Sequence, residues 1–264
     1  MRIDPKKCKG CGRCADVCAV GGCQVYYRCR DEEDGHIYYR IDEDECVDCG
    51  LCLKICGCET GALYSPEVGY PRIVRAQFSN PVVEHPKTEG HGRGTEEMKT
   101  NEVTAWFLPG HVGIFVEFGR PSIGARFKDV EKVSTRLAAL GVEFEEANPC
   151  TALMDDPSKG TFKKEVLNEK VLSTILEMSV PIPVAEQVLT IIKEMAPEMN
   201  CVASVALASL FDEKDDGFHY EGKDILEHVG WTPRPNGKLN TGLGRPLAPA
   251  FSKGQPDRIL GKEI

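Results

Sequence analysis

IDPKKCKGCGRCADVC, residues 3–18, and IDEDECVDCGLCLKIC, residues 41–56, are two copies of one pattern. Each opens on Ile-Asp and sets four cysteines at the same intervals, Cys8-x2-Cys11-x2-Cys14-x3-Cys18 and Cys46-x2-Cys49-x2-Cys52-x3-Cys56. Three thiolates in a tight turn hold three corners of an iron-sulfur cube, and the fourth cysteine of such a run ligates the other cube. The spacing therefore predicts two interlocked 4Fe-4S sites. The first takes Cys8, Cys11, Cys14 and Cys56, and the second takes Cys46, Cys49, Cys52 and Cys18. Paired zinc sites read differently, as two CxxC pairs separated by a longer loop. A disulfide framework is disfavoured because no secretory signal precedes Met1.

On these residues, positions 1 to about 65 resemble a bacterial-type ferredoxin with two 4Fe-4S clusters. The resemblance implies low-potential electron transfer in a reducing compartment. Two departures stand out. The family places proline straight after the fourth cysteine, where this chain has Ala19 and Gly57. Proline there fixes the backbone and removes a donor, so its loss frees an amide beside each cluster. The family ending Cys-Pro-Thr-Gly-Ala also aligns with Cys58-Glu59-Thr60-Gly61-Ala62, which leaves Cys58 open as the alternative to Cys56; the x3 spacing favours Cys56. Cys23 and Cys29 read as small buried hydrophobes. Between the runs, CQVYYRCR and HIYYRID flank DEEDG and predict a β-hairpin with an acidic, solvated turn, placed to shield a cluster or meet a partner.

The 264 residues allow more than one domain. We expect a ferredoxin domain over 1–78, a linker over 79–101, an α+β domain over 102–230 and an extended Pro/Gly-rich arm over 231–264. The linker mixes proline, glycine and charge, and its His85 and His91 read as solvated. In the next segment, VTAWFLP and VGIFVEFG read as strands. FKDVEKVSTRLAALG reads as a helix burying Val130, Val133, Leu137 and Leu140 and ending at Gly141. VEFEE and VLSTILEMSVP follow as strands. VAEQVLTIIKEMAPE is a helix with Val184, Val188, Ile191, Ile192 and Met195 along one face, and CVASVALASLF is a buried strand. In order, this is the split βαββαβ arrangement of a ferredoxin-like sandwich, two helices on a four-stranded antiparallel sheet. Asn148 to Lys164 would be an insertion, and Cys150 and Cys201 would be structural.

Charge and length exclude some functions. The formal net charge of -9 and the lack of a basic stripe argue against nucleic acid. No run of eighteen apolar residues occurs, which argues against a membrane span, and with no secretory signal before Met1 the expected location is the cytoplasm. Arg120 and Arg126, around the glycines of FGRPSIGARF, are candidates for an organic anion, as are Arg234, Lys238 and Arg245 in the arm. Hydrophobic anchors from Trp231 to Phe251 suit the arm to a partner or to a second copy of the chain. GRPSIGARF and TPRPNGKLNTGLGRPLA also faintly resemble 6-hydroxynicotinate reductase-like proteins, which implies an organic acid bound beyond residue 110.

Three functions follow as expectations. The chain is an electron-transfer component of an anaerobic oxidoreductase serving a redox partner or catalytic subunit, or a reductase of a heteroaromatic or other organic acid, or a redox-linked sensor of a small molecule. No GxGxxG follows a strand, so no nicotinamide or flavin site is announced. The general acids a reductase would need, His111, His219 or Tyr220, have no base at a telling interval, and the catalytic residues are left unassigned.

Overall fold

The computed structural model describes residues 1–87, 89, 110–120, 123–209 and 223–232. Helices and strands are mixed along the chain, an α+β protein. In the first part, β1 (Arg2–Ile3), α1 (Arg13–Asp16), α2 (Gly22–Val25), β2 (Tyr26–Arg30), β3 (Ile37–Ile41), α3 (Leu51–Ile55) and β4 (Leu63–Tyr64) are followed by α4 (Ile73–Ser79). β1 pairs with β4, which closes the segment on itself. β2 and β3 form the expected antiparallel hairpin, with Tyr26 opposite Ile41 and Arg30 opposite Ile37. Its acidic turn is ordered from within, because the Asp31 carboxylate accepts the Glu33 amide at 2.9 Å.

The two cysteine runs also share one backbone. Asp4 and Asp42 each accept the amide two residues on, from Lys6 at 3.0 Å and from Asp44 at 2.8 Å. The carbonyl of each then accepts the amide of the first cysteine, Cys8 at 3.1 Å and Cys46 at 3.0 Å. That is the local reason for the Ile-Asp opening: the aspartate makes the turn that presents the first thiol. Gly10 and Asp48, at matching places, are both left-handed, with φ of 65° and 51°, and Gly12 and Gly50 follow suit at 80° and 72°. α1 and α3 start immediately afterwards.

The second part holds β5 (His111–Phe118), β6 (Ala125–Arg126), α5 (Phe127–Ala138), β7 (Met154–Asp156), β8 (Thr161–Phe162), β9 (Lys170–Val171), β10 (Thr174–Pro181), α6 (Ile182–Met195), β11 (Ala203–Ser209) and α7 (Lys223–His228). The sheet runs β10-β5-β11, all antiparallel. Instead of a full fourth strand, VEFEE contributes a single bridge, Phe144 to Met178, on the outer side of β10. The chain turns away at once through Ala147, Asn148 and Cys150, whose polar groups bond locally or to Glu177 rather than along a ladder. Among the described residues β11 stands at the edge of the sheet, with exposed and half-buried positions, not the full burial that its apolar sequence suggests. VTAWFLP, most of the linker including His91, and the arm beyond Thr232 lie outside the described residues, as do Arg234, Lys238, Arg245, His219 and Tyr220.

α5 and α6 pack on one face of the sheet through Val130, Val133, Leu137, Val188, Leu189 and Ile192. Leu140 is exposed, because α5 ends at Ala138 before a further turn can carry it inward. In α6 the buried stripe runs through Ala185, Val188, Leu189, Ile192 and Met195, while Val184 and Ile191 sit at its margin. The insertion is a small β7-β8 hairpin, after which β9 pairs with β6.

The line expected at residue 78 falls within α4. Val74 and Phe78 of that helix join the core of the second part, and Phe78 meets Phe127 edge-on at 5.5 Å. His85, expected in solvated linker, is 3% exposed and packs edge-on against the Phe78 ring. The apolar face of α4 draws the following chain down onto the same core.

Candidate metal centre

Cysteines from both runs line two cavities. One is lined by Cys8, Cys11, Cys14, Cys56 and Cys58. The other is lined by Cys18, Cys46, Cys49 and Cys52. The fourth cysteine of each run thus stands beside the first three of the other. Among the described residues, no three histidine, cysteine, aspartate or glutamate side chains converge closely enough to hold one metal ion. The thiols ring each cavity instead of meeting at a point.

The hairpin covers both sites. Tyr39 of β3 lines the first cavity and Tyr26 of β2 lines the second. The amides of Gly10 and Tyr39 both donate toward the Cys8 sulfur at 3.5 Å. Gly10 is required for this approach. A Cβ there would stand 2.6 Å from the Ile37 carbonyl oxygen, and its backbone is left-handed besides. Burial, and then the Cys52 sulfur, push the Tyr26 hydroxyl far above its ordinary range.

Most of these thiols are held toward the neutral form when metal-free. Burial, then the neighbouring Cys56 and Cys52, push Cys14 up to about 12. Burial pushes Cys46 up to about 11, and the nearby Asp48 carboxylate adds to that push. Cys18, Cys49 and Cys56 are also raised, burial being the main cause for each. Two thiols go the other way. Cys11 is lowered by the backbone amide and side chain of Arg13. At Cys58 burial pushes upward, but the amides of Leu63, Ala62 and Thr60 and the Thr60 hydroxyl outweigh it. Metal binding at the raised thiols must therefore release protons.

The loop carrying Cys46 is tied to the second part of the chain by charges that no sequence pattern announced. Arg75 of α4, 3% exposed, donates to the carbonyls of Glu43, Asp44 and Cys46 at 2.8–2.9 Å and pairs with Glu169. Lys170 of β9 pairs with Glu45 at 2.5 Å, and Arg126 pairs with the same carboxylate at 2.7 Å. Arg126 also donates to the carbonyls of Asn168 and Asp44 at 2.6 and 3.1 Å. Expected as an anion binder, its guanidinium is engaged with Glu45 and with carbonyls, where it fastens the two parts together. Arg120 is 3.7 Å from Glu117 and half exposed. Asp48, behind Cys46, pairs with Arg72 at 2.9 Å and with the Met1 amino group.

Cys23 is exposed and Cys29 half-buried, so neither is the core filler that was expected. In the α2-β2 segment the core contacts are made by Val25 and Tyr26 instead. Cys150 is buried and Cys201 partly so.

Residues 1–21 match the family model of the 4Fe-4S binding domain. The match spans Cys8, Cys11, Cys14 and Cys18 and supports 4Fe-4S binding and iron-sulfur electron transfer by this segment. Neither the curated proteins nor the solved structures compared with this chain include a match. Among the described residues, no helix is long and apolar enough to cross a membrane.

Proposed function

We propose that this chain is an electron-transfer component of an anaerobic oxidoreductase, holding two 4Fe-4S clusters and serving a redox partner protein. Cys8, Cys11, Cys14 and Cys56 would hold the first cluster, and Cys46, Cys49, Cys52 and Cys18 the second. The observation that carries this reading is the exchange of fourth cysteines between two cavities built on one repeated backbone. A donor set of four thiols around a space, rather than on a point, suits a group with one thiolate for each iron. Bound there, such clusters supply one-electron carriers.

The chain's own residues do the rest. Gly10, Tyr39 and Tyr26 bring backbone donors and aromatic cover to the sulfurs. Arg75, through the carbonyls of residues 43, 44 and 46, holds the second site's loop against the second part of the chain. That part then offers a docking surface for the catalytic partner. The net charge of -9 suits a partner with a basic face, and their association should weaken as salt rises.

The reductase reading loses one candidate, because Arg126 is occupied within the protein, and its candidates His219, Tyr220, Arg234 and Arg245 lie outside the described residues. The test is an anaerobic purification from the native host with iron, sulfide and co-purifying chains measured. About eight irons per chain, two clusters of four, together with a partner bearing a flavin or another metal, is the expected result. About four irons would remove the second cluster. A homo-oligomer that reduces an organic acid by itself would replace this reading with the reductase one.

A further inference from the structure

The two cavities differ in their number of thiols: the second is lined by four cysteines and the first by five. Cys56 and Cys58, two residues apart, both stand with Cys8, Cys11 and Cys14. We infer that Cys56 and Cys58 are interchangeable fourth ligands of the first site, so that its metal group is held through either thiol. This rests on the two-cluster reading above.

Three features around the pair support it. Gly57, between the two sulfurs, is left-handed at φ 56°, and nothing lies within 4 Å of the place a Cβ would take. Proline, with φ near -65°, cannot adopt that backbone, which accounts for its replacement after Cys56. Open space and a glycine together let the segment turn either thiol inward without displacing a packed neighbour. Cys56, secondly, sits at the end of α3, its amide bonded to the Cys52 carbonyl at 3.0 Å, so its place in the cavity is set by the helix. Thirdly, Cys58 has its own support. Its sulfur is 3.6 Å from the Thr60 hydroxyl oxygen, and the Gly61 amide bonds its carbonyl at 3.1 Å in a tight turn.

The exchange balances simply. As the Cys58 sulfur binds iron it gives up its proton, and the departing Cys56 sulfur takes one. No electron changes hands, and the number of iron–sulfur bonds to the protein is unchanged.

The test uses the full-length chain reconstituted anaerobically as wild type, Cys56→Ser, Cys58→Ser and the double variant. Iron per chain and the electron paramagnetic resonance spectra of the oxidised and reduced protein are measured. Each single variant should keep about eight irons and two four-iron signals, whereas the double variant should lose about half its iron or show a three-iron signal at one site. Loss of iron in Cys56→Ser alone, or in Cys58→Ser alone, would overturn the inference by making that residue the sole fourth ligand. Should the double variant fail to fold, slow alkylation of the loaded wild type, mapped by mass spectrometry, decides instead. Exchange predicts labelling of either thiol, one per chain, and labelling confined to one of the two refutes it. Wild-type protein that never takes up about eight irons would remove the two-cluster reading itself, and this inference with it.

Discussion

His85 illustrates how one side chain can report on its surroundings. Its Nδ1 accepts the Lys87 amide at 3.2 Å, so in the neutral ring the proton sits on Nε2. The ring is packed on Phe78 with little exposure. Burial lowers its pKa below the ordinary 6.5. The folded protein therefore binds this proton less readily than the unfolded chain does. The stability linked to His85 is complete above pH 6.5 and is lost as pH falls through the lowered folded value. An NMR titration should place the His85 pKa below 6.5, and His85→Phe should flatten that part of the acid-side decline in stability. An unshifted pKa would mean that the ring is solvated after all. Nothing in HPKTEG marks this histidine as buried, because the cause is the Phe78 ring, outside that stretch, and the core beneath it. The cysteines are the opposite case: their spacing within each run is local, so the repeated pattern is visible in the sequence itself.

At the scale of elements, α4 is the joint. Its apolar residues enter the core of the second part while Arg75 reaches back to the loop of the second site. Removing one partner of a buried ion pair leaves the other charge stranded in a low-dielectric setting, a cost of about 3–5 kcal/mol. Arg75→Met should therefore destabilise the protein by about that amount in chemical denaturation, with three carbonyls also losing a donor. Combined with Glu169→Gln it should cost less than the sum of the two single changes, because the stranded carboxylate is then gone. Additive costs would show that Arg75 and Glu169 do not interact. The β2-β3 hairpin was readable from its strand-like residues and its acidic turn, whereas the short helices α1 and α3 were not read. Nor was α4. It lies in a short stretch that begins just after Pro71 and has too few turns to show a period.

For the whole molecule, the consequence concerns cooperativity. The Phe78–Phe127 contact, the Arg75–Glu169 pair and the Glu45 pairs with Lys170 and Arg126 all cross between the two parts. Heating should then unfold both together. Visible absorbance, which reports thiolate-held iron-sulfur, and far-ultraviolet circular dichroism, which is dominated by the larger second part, should give coincident transitions. Two separated transitions would mean that these contacts do not couple the parts.

What the sequence determined by itself was the local chemistry: thiol spacing, the aspartate-made turns before Cys8 and Cys46, and the apolar periods of α5, α6, β5 and β10. Each depends on residues a few positions apart, and short-range geometry decides it. Only the tertiary structure decided that VEFEE contributes one bridge, that Arg126 is a fastener within the protein, that His85 is buried and that the first cavity is lined by five thiols. Those outcomes depend on packing, and for VEFEE, Arg126 and the cavity on partners tens of residues away. The free energy that selects such partners, the burial of apolar surface and the need to pair every buried charge, belongs to the packed chain and leaves no periodic trace along it.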